Sequence, residues 1–287
     1  MNTFLFLKRA TAATAACALT TAGAVALAAC GAPGTPRAAT VPAPASAVGT
    51  PSPPPTLAPG PGGLTPVFMK AAGAHDRTVA LTFDADMTAD QGPRAAAGER
   101  FDNPRLIGTL RRLKVPSTVF MTGRWAEEYP RQARAIGRDP LFEVANHSYS
   151  HHAFTEDCYG LPTVPASGMR ADVERAFTAF RTAGIEHPMP YFRFPGGCYD
   201  RRALKALSGT GVTAVQWDVV SGDAFATDAG AVARQVLDGV RPGSVVVMHC
   251  TRSAAPATEE ALRTIVPELR ERGYRFVKVS ELIRPDA

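Results

Sequence analysis

Two histidines four residues apart are the first candidates for chemistry in this sequence. His147 and His151 enclose Ser-Tyr-Ser, and this spacing predicts both imidazoles on one side of a helical turn, where they can share a metal ion. A catalytic zinc-type site also needs a third ligand and open positions for water and substrate. A carboxylate at the end of the first predicted strand would supply that ligand. One such histidine pair, taken alone, is more often an accident of the surface.

The elements that must position these residues alternate between short apolar runs and helical patterns. Strands are predicted at residues 78–83, 117–121, 142–146, 191–194, 212–217, 244–249 and 275–279. Helices are predicted at residues 104–113, 130–137, 169–183, 201–208, 229–240 and 259–272. This alternation predicts an α/β fold with parallel strands, and seven strands fit a distorted (β/α) barrel better than an open sheet.

The unusual polar residues follow the predicted strands. They are Asp84 and Asp86, His147 and His151, Arg193, Asp218 and Asp223, and His249. The C-terminal ends of barrel strands carry active sites, so we expect these side chains to meet. Each residue alone has a simpler explanation as a strand cap, a surface ion pair or a buried histidine. Their coincidence favours one catalytic site.

Four short motifs resemble, in order, those of the polysaccharide deacetylase family with the NodB homology domain (carbohydrate esterase family 4). They are Thr82-Phe83-Asp84, the segment from His147 to His151, Arg193-Phe194-Pro195-Gly196-Gly197, and the run from Val245 to His249. The resemblance covers about residues 78–283. It implies a distorted barrel that removes N- or O-acetyl groups from chitin, peptidoglycan or xylan. A serine hydrolase is disfavoured because no G-x-S-x-G motif occurs.

The resemblance also implies a role for each matched residue. Asp84 matches the general base, Arg193 the residue that orients it, and His249 the general acid. His147 and His151 match two metal ligands. The backbone N–H of Gly196 is a candidate oxyanion donor. A site of two histidines and a carboxylate suits zinc, with cobalt, nickel or manganese as alternatives.

The sequence departs from the family pattern at two positions. Ala85 stands where the family has a metal-binding aspartate, so we expect Asp86 to replace it through a shifted loop. If Asp86 pointed away from the histidines, the site would bind metal weakly or not at all. The second departure concerns the family's aspartate followed by tryptophan, which aligns best with Asp223-Ala224-Phe225 and lacks the tryptophan. Asp223 is therefore predicted to raise the pKa of His249, with Asp218 as the alternative.

Aromatic residues and cysteines add further expectations. Tyr149 and Trp217 are candidate substrate contacts, and Trp217 is placed to restore a missing aromatic wall. Cys158, Cys198 and Cys250 lie in the predicted domain. Outside the cytosol one pair of them can oxidise, which leaves one cysteine over, and the sequence leaves the pairing open.

The first 66 residues predict export and anchoring. Residues 1–29 have the pattern of a signal peptide, with two basic residues before an alanine-rich stretch. Leu-Ala-Ala-Cys at its end resembles a bacterial lipobox, which makes Cys30 the predicted lipid anchor. An ordinary signal peptide or an uncleaved membrane helix is the alternative. Residues 30–66 are predicted to be a disordered Pro/Ala-rich linker and residues 67–287 the catalytic domain.

Charge and composition limit the partners. The formal net charge is +5, but no basic run or stacking aromatic series indicates a nucleic-acid partner. The expected partners are an acetylated polysaccharide and, through Cys30, the outer face of the cytoplasmic membrane. The chain is expected to be a monomer. The alternative function is a glycan-binding lipoprotein that keeps the deacetylase fold but has weakened catalysis.

Overall fold

The fold is built on parallel strands that are buried on both faces. The computed structural model describes residues 53–283, so the predicted signal peptide and Cys30 lie outside the described residues. Every residue of β2 (Thr78–Ala85), β3 (Ser117–Met121) and β4 (Phe142–Asn146) is buried. Their runs of β-branched and apolar residues are typical of strands covered on both sides by helices and core.

The strand order is β1-β6-β5-β4-β3-β2-β8-β7, with β9 beside the start of β2. The remaining strands are β1 (Val67–Phe68), β5 (Tyr191–Phe192), β6 (Thr213–Val215), β7 (Val219–Val220), β8 (Ser244–His249) and β9 (Arg275–Phe276). All pairings between these strands are parallel. Strands β6 and β7 are consecutive in the chain, but β6 pairs with β5 and β7 pairs with β8, near opposite ends of the strand order. The sheet therefore curls so that its two ends approach each other. The predicted distorted barrel is confirmed, with β1 and β7 added to the seven predicted strands.

Helices surround the sheet. They are α1 (Gly92–Ala96), α2 (Pro104–Arg112), α3 (Gly123–Glu128), α4 (Pro130–Gly137), α5 (Met169–Ala183), α6 (Arg201–Ala206), α7 (Ala229–Gly239), α8 (Thr258–Glu271) and α9 (Val279–Leu282). The side chains of Asn103, Asp200 and Asp228 cap the N-termini of α2, α6 and α7. Within residues 53–283, no helix has the length and apolar character needed to cross a membrane.

Residues 55–66 lie against the barrel instead of forming free linker. The hydroxyl of Tyr191 donates to the carbonyl of Pro55 (2.8 Å), and the N–H of Leu57 donates to the hydroxyl of Thr213 (3.0 Å). Tyr191 and Thr213 begin β5 and β6, so the segment contacts the N-terminal edge of the sheet. The prediction of disorder up to residue 66 is therefore corrected for residues 55–66. This segment has few apolar side chains, but its backbone groups form hydrogen bonds with residues of the strands.

Candidate active site

A tight loop after β4, rather than a helical turn, brings the two histidines together. Ser148 and His151 both have positive φ angles, of 68° and 57°. The side chain of Asn146 accepts from the N–H of Ser148 (2.8 Å), and the Ser148 hydroxyl accepts from the N–H of His151 (2.9 Å). The imidazole centroids of His147 and His151 are 5.0 Å apart. The predicted helical turn is therefore wrong, although the proximity expected from it is present.

Hydrogen bonding sets the ring orientation of His147. Its Nδ1 lies 2.9 Å from the backbone carbonyl of Arg193. A carbonyl only accepts, so Nδ1 carries the hydrogen and Nε2 presents its lone pair to the site. Burial lowers the pKa of His151 to about 4, against the opposing effect of Asp86. Burial also acts on His147, but Asp84 and Asp86 outweigh it and raise its pKa.

The carboxylate of Asp86 completes a possible metal site. Its Oδ1 is 3.3 Å from Nε2 of His147 and 3.6 Å from Nε2 of His151. The three ligand atoms lie within 4.8 Å of one another. Oδ1 of Asp86 is buried and accepts no hydrogen bond from the protein, although a buried acceptor without a partner is costly. These residues therefore fit a divalent cation.

The loop after β2 begins at Asp86. Strand β2 ends at Ala85, whose side chain is buried in the hydrophobic core. The N–H of Asp86 donates to the hydroxyl of Thr251 (2.9 Å), which fixes the first residue of the loop. Sequence reasoning missed Thr251. Its position two residues after His249 was the available signal.

Asp84 is oriented by a buried arginine. Oδ1 of Asp84 is 2.7 Å from Nη1 of Arg193, and its Oδ2 is 3.6 Å from Nε2 of His147. The guanidinium of Arg193 lies 3.9 Å from the ring centroid of Phe120 and donates to the carbonyl of Val215 (3.1 Å). With Arg193 wholly buried and fixed on several sides, one oxygen of Asp84 is held and the other faces the histidines.

A second buried carboxylate controls His249. Oδ1 of Asp223 is 2.8 Å from Nδ1 of His249, and its Oδ2 accepts from the backbone N–H of the same residue (2.7 Å). Burial alone would lower the pKa of His249, but Asp223 outweighs it and raises the pKa to about 10. The hydroxyls of Ser221 (2.8 Å) and Thr258 (2.7 Å) hold Asp223. Nε2 of His249 is 3.8 Å from Asp86. Sequence reasoning missed Ser221 and Thr258.

The alternative aspartate occupies a different environment. Asp218 accepts hydrogen bonds from the hydroxyl of Ser244 (2.8 Å) and the N–H of Val245 (2.7 Å). Both partners lie at the start of β8, at the opposite end of that strand from His249. Of the two candidates, Asp223 is therefore the one that contacts the histidine.

Comparison with known proteins agrees with this geometry. A family model described as polysaccharide deacetylase matches residues 71–215. The chain belongs to the polysaccharide deacetylase family. A chitooligosaccharide deacetylase from Sinorhizobium fredii is 30% identical over 202 residues, which cover 66% of this chain and 86% of the relative. A peptidoglycan-N-acetylglucosamine deacetylase from Bacillus cereus is 26% identical over 213 residues, covering 73% and 90%.

A solved structure with the same fold is that of a carbohydrate esterase family 4 pseudoenzyme from Bacillus anthracis. The two structures superpose with a TM-score of 0.62 at 23% identity, over 80% of this chain and 70% of that chain. This likeness supports the fold alone. It confirms the predicted barrel. The family match and the two named relatives confirm the predicted class of enzyme, a polysaccharide deacetylase.

In this deacetylase, the remaining candidate residues Gly196 and Trp217 lie beside the buried Arg193. Gly196 and Gly197 have positive φ angles, of 63° and 73°, in the turn that follows Arg193. A Cβ on Gly197 would lie 2.5 Å from the ring of Trp217, so glycine is required for this close approach. The ring of Trp217 is also 5.4 Å from the guanidinium of Arg193. Trp217 therefore borders the site.

Tyr149 is not directed toward the cluster. Its hydroxyl donates to Glu127 (2.9 Å) and accepts from Arg175 (2.8 Å). Its ring packs so closely on Gly123 that a Cβ there would be 2.4 Å away. The expectation that Tyr149 contacts substrate is corrected, because this side chain joins the core and the helices α3 and α5.

The structure also answers the open question of cysteine pairing. Cys158 and Cys198 form a disulfide, and Cys250 is a buried free cysteine. The bond joins the long loop after the histidine motif to the residue that follows Gly197. Burial raises the pKa of Cys250 well above its ordinary value, so this thiol stays protonated.

Proposed function

We propose that this protein is a metal-dependent hydrolase that removes the acetyl group from N-acetylglucosamine units of a chitin-type or peptidoglycan polymer. The observation that carries the proposal is the unpartnered Oδ1 of Asp86, which faces Nε2 of both His147 and His151. The named activities of the two relatives support the choice of an N-acetylated glycan.

Asp86, His147 and His151 would hold the ion, with zinc first and cobalt, nickel or manganese as alternatives. When bound, such an ion supplies Lewis acidity toward the acetyl carbonyl and acidifies water. Asp84, held by its ion pair with Arg193, then takes the proton of the attacking water.

His249 serves as the acid. Because Asp223 raises its pKa to about 10, the imidazole carries a proton at neutral pH and can give it to the departing amine nitrogen. The hydrogen bond from Nδ1 to Asp223 leaves Nε2 as the donating atom. We assign the backbone N–H of Gly196 as an additional donor to the developing oxyanion.

We also infer export and lipid anchoring at Cys30. The chain enters the domain at Pro55 and Leu57, beside the first residues of β5 and β6. The catalytic residues follow the opposite ends of the strands. A tether from Cys30 therefore attaches at the edge remote from the site, which leaves the site accessible to a wall polymer. Membrane fractionation of cells that express the parent or Cys30→Ser tests the anchor: release of the parent into the medium would contradict it.

The test of the activity combines metal content with acetate release. Purified protein is measured by plasma mass spectrometry and assayed on chitopentaose and peptidoglycan, beside His147→Ala and a control, His187→Ala, which alters an exposed histidine. We expect about one ion per chain and acetate release in the parent and the control, and neither in His147→Ala. Folded parent protein that takes up no zinc or cobalt and releases no acetate would contradict the proposal.

A second candidate function is glycan binding with weakened catalysis. Two observations favour it: Ala85 replaces the family's usual metal-binding aspartate, and a pseudoenzyme shares the fold. Under this alternative, the protein binds chitopentaose in calorimetry yet contains no metal. The metal measurement therefore separates the two functions.

A further inference from the structure

The disulfide carries a tyrosine immediately after each of its cysteines. Tyr159 follows Cys158 and Tyr199 follows Cys198, and both belong to the exposed large side chains of the described residues. Tyr159 is the more exposed, at 87%, while Tyr199 is 36% exposed. The Cα atoms of the two cysteines are 5.9 Å apart. The two tyrosines are therefore presented by one cross-linked pair of loops.

This pair of loops borders the candidate oxyanion glycine. A Cβ at Gly196 would meet Sγ of Cys158 at 2.6 Å and Cδ2 of Tyr159 at 3.3 Å. The Tyr159 ring thus reaches over the turn whose backbone N–H faces the acetyl group in the proposed reaction. The φ angle of Tyr159 is 52°, a costly conformation for a residue other than glycine that calls for a functional reason.

Packing fixes the second ring. Tyr199 stacks on Phe194, with ring centroids 5.3 Å apart and planes inclined by 18°. Phe194 is itself buried against Phe154 and Phe192, at centroid distances of 5.5 and 4.8 Å. Tyr199 therefore has little rotamer freedom to lose when a ligand covers it, which favours binding.

Two of the neighbouring charged groups have partners within the protein. Arg202 pairs with Glu156 (3.0 Å), and the carboxylate of Asp200 accepts from the N–H of Ala203 as the cap of α6. The exposed features of this rim include two aromatic faces with hydroxyl groups. Such amphipathic rings suit an uncharged sugar, whose ring has an apolar C–H face and polar edges.

We propose that Tyr159 and Tyr199 form a platform for the glycan unit next to the one that is deacetylated. The proposal rests on the proposed function for the position of the reacting unit. Its consequence is selectivity: the enzyme acts on oligomers and polymers in preference to small acetyl compounds, because a neighbouring sugar covers the platform.

The test compares a substrate that can reach the platform with one that cannot. Acetate release is measured with chitopentaose and with 4-nitrophenyl acetate, and the rate of His147→Ala is subtracted as background. In Tyr159→Ala and Tyr199→Ala we expect the ratio of kcat/KM for chitopentaose to that for the ester to fall about tenfold, through KM. Tyr159→Phe keeps its ring and should retain the parent ratio.

Met69→Ala is the matched control. Met69 is also exposed and apolar, but it lies beside Thr78 and Arg275 at the beginnings of β2 and β9, so this variant should keep the parent ratio. An unchanged ratio in both tyrosine variants, or a loss caused equally by Met69→Ala, would overturn the platform. Unchanged melting temperatures exclude misfolding as the cause.

The platform and the proposed activity fail in different ways. If the parent releases no acetate, the proposed function is wrong, and calorimetric titration of the full chain with chitopentaose then decides the platform. Binding weakened about tenfold by Tyr159→Ala supports it. Absent binding, or binding that the substitution leaves unchanged, overturns it.

Discussion

Replacing Asp223 by asparagine tests whether one buried carboxylate sets the protonation of His249, the histidine proposed as the general acid. In the parent, Asp223 raises the pKa of His249 to about 10. Asparagine keeps the side-chain size but removes the charge, so burial is then opposed only by the smaller effects of Asp86 and Asp84, and the pKa of His249 falls toward its ordinary value of about 6.5. At pH near 7.5 the protonated fraction then falls from nearly all to about a tenth. We expect kcat/KM at this pH to fall about tenfold.

The assay is the pH profile of kcat/KM for acetate release from chitopentaose. On the alkaline side, the parent should lose activity where His249 deprotonates. A divalent ion held by Asp86, which is 3.8 Å from this imidazole, moves that limit below about 10 by repulsion. In Asp223→Asn the limit shifts to neutral pH or lower, and part of the activity returns on acidification. Asp218→Asn is the control, because Asp218 bonds to β8 at Ser244 and Val245.

The ion pair between Asp223 and His249 also predicts that the stability of the metal-free protein depends on pH. The pKa of His249 is raised in the folded state, so the stabilisation is complete below about pH 6.5 and is lost as the pH rises through about 10. Asp223→Asn removes this dependence, which thermal melts across that range would measure. If the alkaline limit of kcat/KM were unchanged in Asp223→Asn, the assignment of Asp223 as the residue that raises the pKa of His249 would be refuted.

Two further predictions concern Ala85, which stands where the family has an aspartate, and Tyr149, which was expected to contact substrate. Ala85→Asp restores the family residue, but Ala85 is fully buried in the core, so we expect a loss of about 2 kcal/mol or more in stability and no gain in zinc affinity. Tighter zinc binding with an unchanged melting temperature would contradict this. Tyr149→Phe should lower the free energy of unfolding by about 1 kcal/mol, through lost hydrogen bonds to Glu127 and Arg175, while kcat/KM is retained. A tenfold fall in kcat/KM would instead place Tyr149 in catalysis.

Local pattern predicted the long strands and helices well, since their signals lie within a few adjacent residues. The run from Ser244 to His249 is apolar enough to require a buried strand, and it forms β8 with those bounds. By contrast, β1 and β7 have two residues each, too few for any periodicity. Their pairing depends on distant strands, and the same holds for the contact of Pro55 with Tyr191.

The candidate site was predictable where strand ends define it and unpredictable where side chains fix one another. That Asp84, His147 and Arg193 meet follows from parallel strands ending at one edge. The roles of Ser221 and Thr258 depend on hydrogen bonds to Asp223, and Thr258 lies on a helix 35 residues further along the chain. The position of a serine or a threonine in the sequence does not indicate such a contact.

The way Asp86 is anchored explains how a chain with alanine at position 85 can still place a carboxylate beside the two histidines. Ala85 continues the alternation of β2 on the face that packs against the helices, and it lies in the hydrophobic core there. The next residue, Asp86, is the first one that does not take part in the strand pairing of β2. Its N–H is bound by Thr251, which follows β8, the neighbour of β2 in the sheet. Because the anchor comes from the adjacent strand and not from β2 itself, the carboxylate is moved by one residue without losing its place beside His147 and His151.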